Sequence, residues 1–156
     1  MKEVVELIKK KGLTISTMES CTGGGLVNAI TNVEGASEII KFSAVTYSNE
    51  FKIKMGVSKD IIDKYSVYSM ETAHEMALNI VKFTNSDLGV GITGKLNRID
   101  ENNLVGDNNK VFISVYNSLD NNYYDKELSV NDTTRDKNKE LVINEVVKIL
   151  LDLLSR

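Results

Sequence analysis

The sequence predicts an α/β protein, a three-layer α/β/α sandwich around a mixed, mostly parallel sheet. Three observations predict it. Short apolar runs alternate with segments of helical period from the start of the chain to Gly94. One such run, residues 13–18, leads through the small-residue turn Glu19-Ser20-Cys21-Thr22-Gly23-Gly24-Gly25 into Leu26-Val27-Asn28-Ala29-Ile30, which reads as a helix. Two later runs, 111–116 and 123–130, are joined by a polar turn and read as a hairpin before a long closing helix.

Residues 2–11 place Val4, Val5, Leu7 and Ile8 among lysines and glutamates, an amphipathic helix that stops at Gly12. Residues 13–18 read as a buried strand. A helix over 22–31 and a turn at 34–37 follow. Residues 39–47, with Phe42, Ala44, Val45 and Tyr47, read as a second strand, and 51–55 as a short helical piece. Ser58 suits the N-cap of a helix ending at Tyr65. Ser69 opens another, in which Met70, Ala73, Met76, Ala77, Ile80 and Val81 recur at helical spacing. Residues 88–92 form a buried strand ending at Thr93-Gly94. Residues 95–110 are polar, rich in Asn and Asp and without period, a length that marks a functional or a mobile loop. After the hairpin, a helix over 135–154 gathers Leu141, Val142, Val146, Ile149, Leu150 and Leu153 on one side. Asp132 is its candidate N-cap, with Thr133 and Thr134 opening its first turn. No repeat or linker divides the chain, so residues 1–156 are read as a single domain.

A chain of 156 residues buries a core without metal or disulfide staples. Its 42% hydrophobic and 26% charged residues are ordinary for a globular protein. The net charge of −3 argues against a nucleic-acid partner, though it permits a small phosphorylated ligand held by local cations. The single cysteine, Cys21, forms no internal disulfide, and the chain lacks Cys/His spacing for zinc. The Lys-rich start has no apolar h-region behind it, and no run approaches membrane-spanning length. The expectation is therefore no signal peptide, no membrane partner and a cytoplasmic location. The chain has no proline, for which the sequence offers no physical reason.

In sheets of this class ligands bind at the carboxyl ends of parallel strands. Three segments are expected there: 19–24, 47–52 and 93–94. The first is a strand, a turn and a helix start, which offers N–H groups to an anion, and its glycines admit a ligand close to the backbone. Ser20 needs a base before it is a useful nucleophile. The sole histidine, His74, lies mid-helix beside Glu75 and reads as a solvated or edge-packed residue. That leaves a desolvated lysine as the familiar alternative. Lys52, a short way past the strand-end Tyr47-Ser48-Asn49, is the candidate; the competing reading makes Lys52 and Lys54 solvated helix lysines. Tyr47 is either an edge aromatic or a group that relays a proton or orients the lysine. Cys21 is a rival nucleophile or a small packing residue. Glu19 brings negative charge to the site or bonds nearby backbone amides. Arg135, with Lys137 and Lys139, stands at a helix N-terminus where positive charge opposes the dipole. An anionic ligand accounts for that, and so does a plain solvated face.

The residues resemble a known family. Glu19-Ser20-Cys21-Thr22-Gly23-Gly24, Gly35-Ala36-Ser37 and Val45-Thr46-Tyr47-Ser48-Asn49 with Lys52 match, in order and spacing, the C-terminal domain of the CinA competence/damage-inducible proteins. Met55-Gly56-Val57, the helix start over 67–77 and Gly91-Ile92-Thr93-Gly94 extend the match over most of the chain. The stand-alone form of that family is the nicotinamide mononucleotide amidohydrolase, which converts the carboxamide to nicotinate mononucleotide and ammonia. The resemblance implies a CinA C-terminal-like fold, no metal or other cofactor, a small-molecule nucleotide substrate and a homo-oligomer. It implies catalytic roles for Ser20, Tyr47 and Lys52. It also implies substrate contacts at Thr22, Gly23, Gly24 and Ser37, and at Asn49, Thr93, Gly94 and Arg135. Whether Ser20 or Ser37 is the nucleophile stays open at this stage.

The chain departs from the family pattern in three places, one of them Asn109-Lys110 where the family usually has a glycine before the next strand. The family continues after the Gly94 position with a Pro/Gly-rich loop, whereas this chain runs Lys95-Leu96-Asn97-Arg98-Ile99 with no glycine before Gly106. Where the family carries two arginines four apart in the last helix, this chain has Arg135 and Lys139. The altered loop motivates an alternative reading, a catalytically impaired nucleotide-binding or regulatory module. A third reading is an amidohydrolase for another nucleotide amide.

Overall fold

A computed structural model describes residues 1–131 and 134–156. Helix α1 (Lys2–Lys11) leads into β1 (Ile15–Glu19), α2 (Gly25–Thr31), a 3-10 turn (Ala36–Glu38) and β2 (Ser43–Val45). Three helices follow, α3 (Asn49–Lys54), α4 (Lys59–Tyr65) and α5 (Met70–Thr84). Strands β3 (Leu88–Gly94), β4 (Lys110–Asn117) and β5 (Asn122–Ser129) and helix α6 (Arg135–Leu154) complete the chain. The sheet order is β2-β1-β3-β4-β5. The β2–β1 and β1–β3 pairs are parallel, and β3–β4 and β4–β5 are antiparallel, so β4 alone runs against the rest.

Side-chain alternation along the strands builds two cores. Ile15, Leu88, Val90, Ile92, Val111, Ile113 and Val115 point to the face covered by α1, α2 and α6, where Val4, Ile8, Leu26, Val142 and Val146 meet them. Met18 points the other way, toward Ile62, Met76 and Ile80 of α4 and α5. On that second face β3 offers Gly89 and Gly91 beneath α5, followed by Thr93. A Cβ on Gly89 would lie 2.3 Å from the Ala77 carbonyl oxygen, and one on Gly91 2.2 Å from that of Ala73. The α5 backbone therefore rests directly on β3, and no larger residue fits between them.

Polar punctuation ends the elements. Gly12 closes α1 in the left-handed region (φ 66°), its N–H bonding Ile8 and Lys9 carbonyls. Ser48, Ser58 and Ser69 cap α3, α4 and α5 by accepting from Phe51, Ile61 and Thr72 N–H groups.

Several boundaries differ from the sequence reading, and three of the differences have a local cause. The second strand is Ser43–Val45 rather than 39–47, because Ile39 and Ile40 pack into the core straight out of the 3-10 turn, with only the Ile39 carbonyl bonding β1. Helix α2 starts at Gly25 rather than residue 22, because Gly23 and Gly24 turn the chain with φ of 62° and 91°. Thr134 takes the N-cap position of α6; the expected cap Asp132 and its neighbour Thr133 lie outside the described residues.

The close helix–sheet contact is the structural feature most exposed to substitution. Gly91→Ala is expected to cost about 1–3 kcal/mol or more through overpacking, read as a lower urea midpoint; an unchanged midpoint contradicts the contact.

Candidate active site

Helical connections on opposite faces leave a crevice where β1 parts β2 from β3, at the carboxyl ends of the parallel strands. The turn after β1 faces it. Ser20 is held by its N–H to the Ile92 carbonyl of β3 (3.0 Å), and its own carbonyl accepts from Gly23 N–H (2.9 Å). Glu19, fully buried, turns its carboxylate back onto α2. It accepts from the Leu26 and Val27 N–H groups, each at 2.9 Å, and from the Thr22 hydroxyl at 2.6 Å. The backbone-amide reading of Glu19 is the one observed. The α2 N-terminus is thereby occupied by the protein's own anion.

Lys52 lies on α3, beyond β2. The Thr46 N–H donates to the Glu19 carbonyl (2.8 Å), which carries the β2 side of the sheet up to the crevice. The Ser48 cap then starts α3 so that Lys52 turns back under it. Its Nζ donates to Ser20 Oγ at 3.0 Å and to the Thr46 carbonyl at 2.7 Å. The side chain is 2% exposed. Burial pulls its pKa from 10.5 down to about 8, against the opposing influence of Cys21 and Asp100. The solvated-lysine reading fails for Lys52, while Lys54 does face water and pairs with Glu50. A hydroxyl beside a partly deprotonated amine is an activated nucleophile pair.

Ser20 and Lys52 open onto a cleft of about 650 Å³, also lined by Tyr47, Asn49, Gly94 and Arg135. The remaining expected residues divide. Tyr47 is exposed, and its hydroxyl accepts from Arg135 at 3.3 Å, not from Lys52 or Ser20, so the expected relay is replaced by a rim contact. Thr22 spends its hydroxyl on Glu19, and Thr93 spends its own on the Val67 carbonyl (2.8 Å); both are buried and neither lines the cleft. Gly23 and Gly24 shape the turn without lining the cleft, and the Lys139 amine comes close to Gly23. Gly94 does line it, and β4 leaves no room for a side chain there, a Cβ meeting the Lys110 carbonyl oxygen at 2.5 Å. Ser37 is corrected outright. It is exposed in the 3-10 turn that meets Ile15, at the opposite end of β1 from Ser20. Cys21 also lines the cleft, but it is buried, and burial pushes its thiol up to about 12, which disfavours the thiolate. His74 bonds Asp125 at 2.6 Å and stacks on Tyr123, as an edge-packed histidine does.

Sequence reasoning missed part of one wall. Tyr68, Lys95 and Asp100 line the cleft, the Tyr68 hydroxyl bonded to Asp100 and the Lys95 amine 5.1 Å from the Tyr68 ring centre. Tyr68 stands in the short connection between α4 and α5, while Lys95 and Asp100 lie on the loop after β3, which has no period to read; the one signal there was the dense Asp/Asn content of residues 100–109, which suits side-chain-bonded turns. Among the described residues no cluster of His, Cys, Asp and Glu is arranged to hold a metal, and no helix is long and apolar enough to cross a membrane.

A family model of the CinA C-terminal domain matches residues 1–154. The chain belongs to the CinA C-terminal domain family. A CinA-like protein of Kosmotoga olearia is 49% identical over 92 residues, 58% of this chain. The chain spans 22% of the length of that relative. Among solved structures, the competence/damage inducible protein CihA of Agrobacterium tumefaciens superposes with a TM-score of 0.84 at 25% identity, covering 99% of this chain and 95% of that one. A CinA superfamily protein of Klebsiella pneumoniae has the same fold, with a TM-score of 0.89 at 18% identity and coverage of 99% and 94%. The CinA fold thus frames the Ser20–Lys52 pair, while the relatives' names refer to competence and damage rather than to a reaction.

Holding Lys52 under α3 has a thermodynamic sign. Between about 8 and 10.5 the unfolded chain binds more protons at this site than the folded one, so stability rises with pH across that window. Below it the burial cost is at its full size. Lys52→Met is therefore expected to stabilise the protein by about 1–3 kcal/mol at pH 7. That gain should shrink toward pH 10, as read from urea unfolding at both pH values. A variant that is less stable at pH 7 contradicts the assignment.

Proposed function

We propose that this chain is a serine/lysine amidohydrolase acting on the carboxamide of a pyridine nucleotide, nicotinamide mononucleotide. The observation that supports it most is the 3.0 Å bond between Ser20 Oγ and a buried Lys52 amine. The cations Arg98 and Arg135 on the same cleft suit a nucleotide phosphate, and the family resemblance supplies the substrate. Neutral Lys52 takes the Ser20 proton as Oγ attacks the amide carbon. The oxyanion is held by the backbone N–H of Cys21, the turn residue that lines the cleft beside Ser20. The Lys52 ammonium then protonates the leaving nitrogen, the C–N bond breaks and ammonia departs. Water, deprotonated by the same amine, attacks the Ser20 ester, releasing nicotinate mononucleotide and restoring the hydroxyl.

An ammonia-release assay with nicotinamide mononucleotide tests this reading. The wild type is expected to turn over, and Ser20→Ala and Lys52→Met each to lose about a thousandfold or more. Because the base must be neutral, kcat/KM should climb with pH through a midpoint of about 8. Nucleotide binding by calorimetry with no ammonia from the wild type would instead support the binding or regulatory module.

A further inference from the structure

One group on the cleft has no part in that chemistry. Asp100 is its only carboxylate among the described residues, against the cations Lys52, Lys95, Arg98 and Arg135. A cleft for a purely anionic ligand is weakened by such a group, which repels the ligand as strongly as a cation at equal distance attracts it. Yet the fold holds Asp100 firmly in place. The Tyr68 hydroxyl and Asn103 Nδ2 (3.0 Å) both donate to its Oδ2, and the Asn102 N–H donates to its Oδ1 at 3.0 Å. Asn103 in turn accepts from Asn49 of α3 at 3.4 Å, which ties the carboxylate to the helix that carries Lys52. Burial works to raise the Asp100 carboxyl, but these hydrogen bonds and the Lys95 charge hold it below the usual carboxylate range. It is ionised at neutral pH, and its field reaches the Lys52 ammonium.

An oxidised nicotinamide nucleotide has two charges of opposite sign: an anionic phosphate and a ring made cationic by its quaternary nitrogen. With the carboxamide at Ser20, that ring lies in a cleft whose other fixed charges are positive, and Lys52 and Lys95 repel it. The Lys95 amine already stands against the Tyr68 ring, so the partner for a ring cation on this wall is the carboxylate. We propose that Asp100 is a specificity-determining residue, selecting a ligand whose pyridine ring is quaternary and cationic over one whose ring is neutral. The proposal rests on the amidohydrolase reading and deepens it.

The test uses oxidised and reduced nicotinamide mononucleotide, which share carboxamide, ribose and phosphate but differ in ring charge. Calorimetry on Ser20→Ala keeps both ligands intact. This protein is expected to bind the oxidised form about tenfold or more tightly than the reduced form. Adding Asp100→Asn, or independently Asp100→Ala, should bring the two affinities within about threefold by weakening the oxidised form alone. A ratio unmoved by both variants, an equal loss for both ligands, or no preference in Ser20→Ala overturns the proposal. Ammonia release reads the catalytic proposal separately. Silence there, with an Asp100-dependent preference in binding, would sink turnover and leave this inference standing.

Discussion

The burial of one ammonium group underlies the site. Lys52 is 2% exposed, and its Nζ bonds a carbonyl on its own side of the crevice and a hydroxyl on the other. Its desolvation is opposed by those two hydrogen bonds and by the more distant charge of Asp100. Placing it requires several backbone constraints at once. The Glu19 carbonyl extends the β1–β2 pairing through Thr46, the Ile92 carbonyl fixes Ser20, and Ser48 starts α3 at the residue that aims Lys52 inward. An uncharged side chain of similar length would fit more cheaply. Burying the ammonium therefore costs stability and draws the amine's pKa toward neutrality.

The other buried charge behaves in the opposite way. Glu19 receives the first N–H groups of α2 and the Thr22 hydroxyl, so its negative charge is spent inside the turn. It makes the turn rigid and leaves Ser20 at its apex. It also fills the helix N-terminus that would otherwise have attracted a ligand anion. The positive charge on the cleft comes instead from side chains such as Arg98 and Arg135, while Asp100 adds a negative charge among them. Opposite signs on one cleft suit a ligand that itself carries both.

Much of this was legible in the residues. Strand-end positions placed Ser20 and Lys52 on one crevice, and helical period recovered α5 and α6. The serine caps of α4 and α5 could be read locally because a cap acts within one turn. What escaped depended on contacts across the fold. Gly89 and Gly91 read as part of a buried strand, but their role as a floor for α5 appears only once the Ala73 and Ala77 carbonyls lie over them. Thr22 and Thr93 have the right chemistry for ligand contacts, yet each hydroxyl is claimed by a neighbour that spacing does not reveal. Ser37 sits in a matching motif, and a motif does not say at which end of a strand it falls. Tyr68, between Val67 and the cap Ser69, looks like a core aromatic until the loop brings Asp100 to its hydroxyl.

The central claim is that the Lys52 amine is partly neutral at the pH where the hydroxyl beside it must be activated. Titrating the Lys52 side chain by NMR, with lysine labelled at Cε and the resonance assigned by its loss in Lys52→Met, measures this directly. The account gives a midpoint of about 8. A midpoint at the ordinary lysine value of 10.5 would show a solvated ammonium and contradict it.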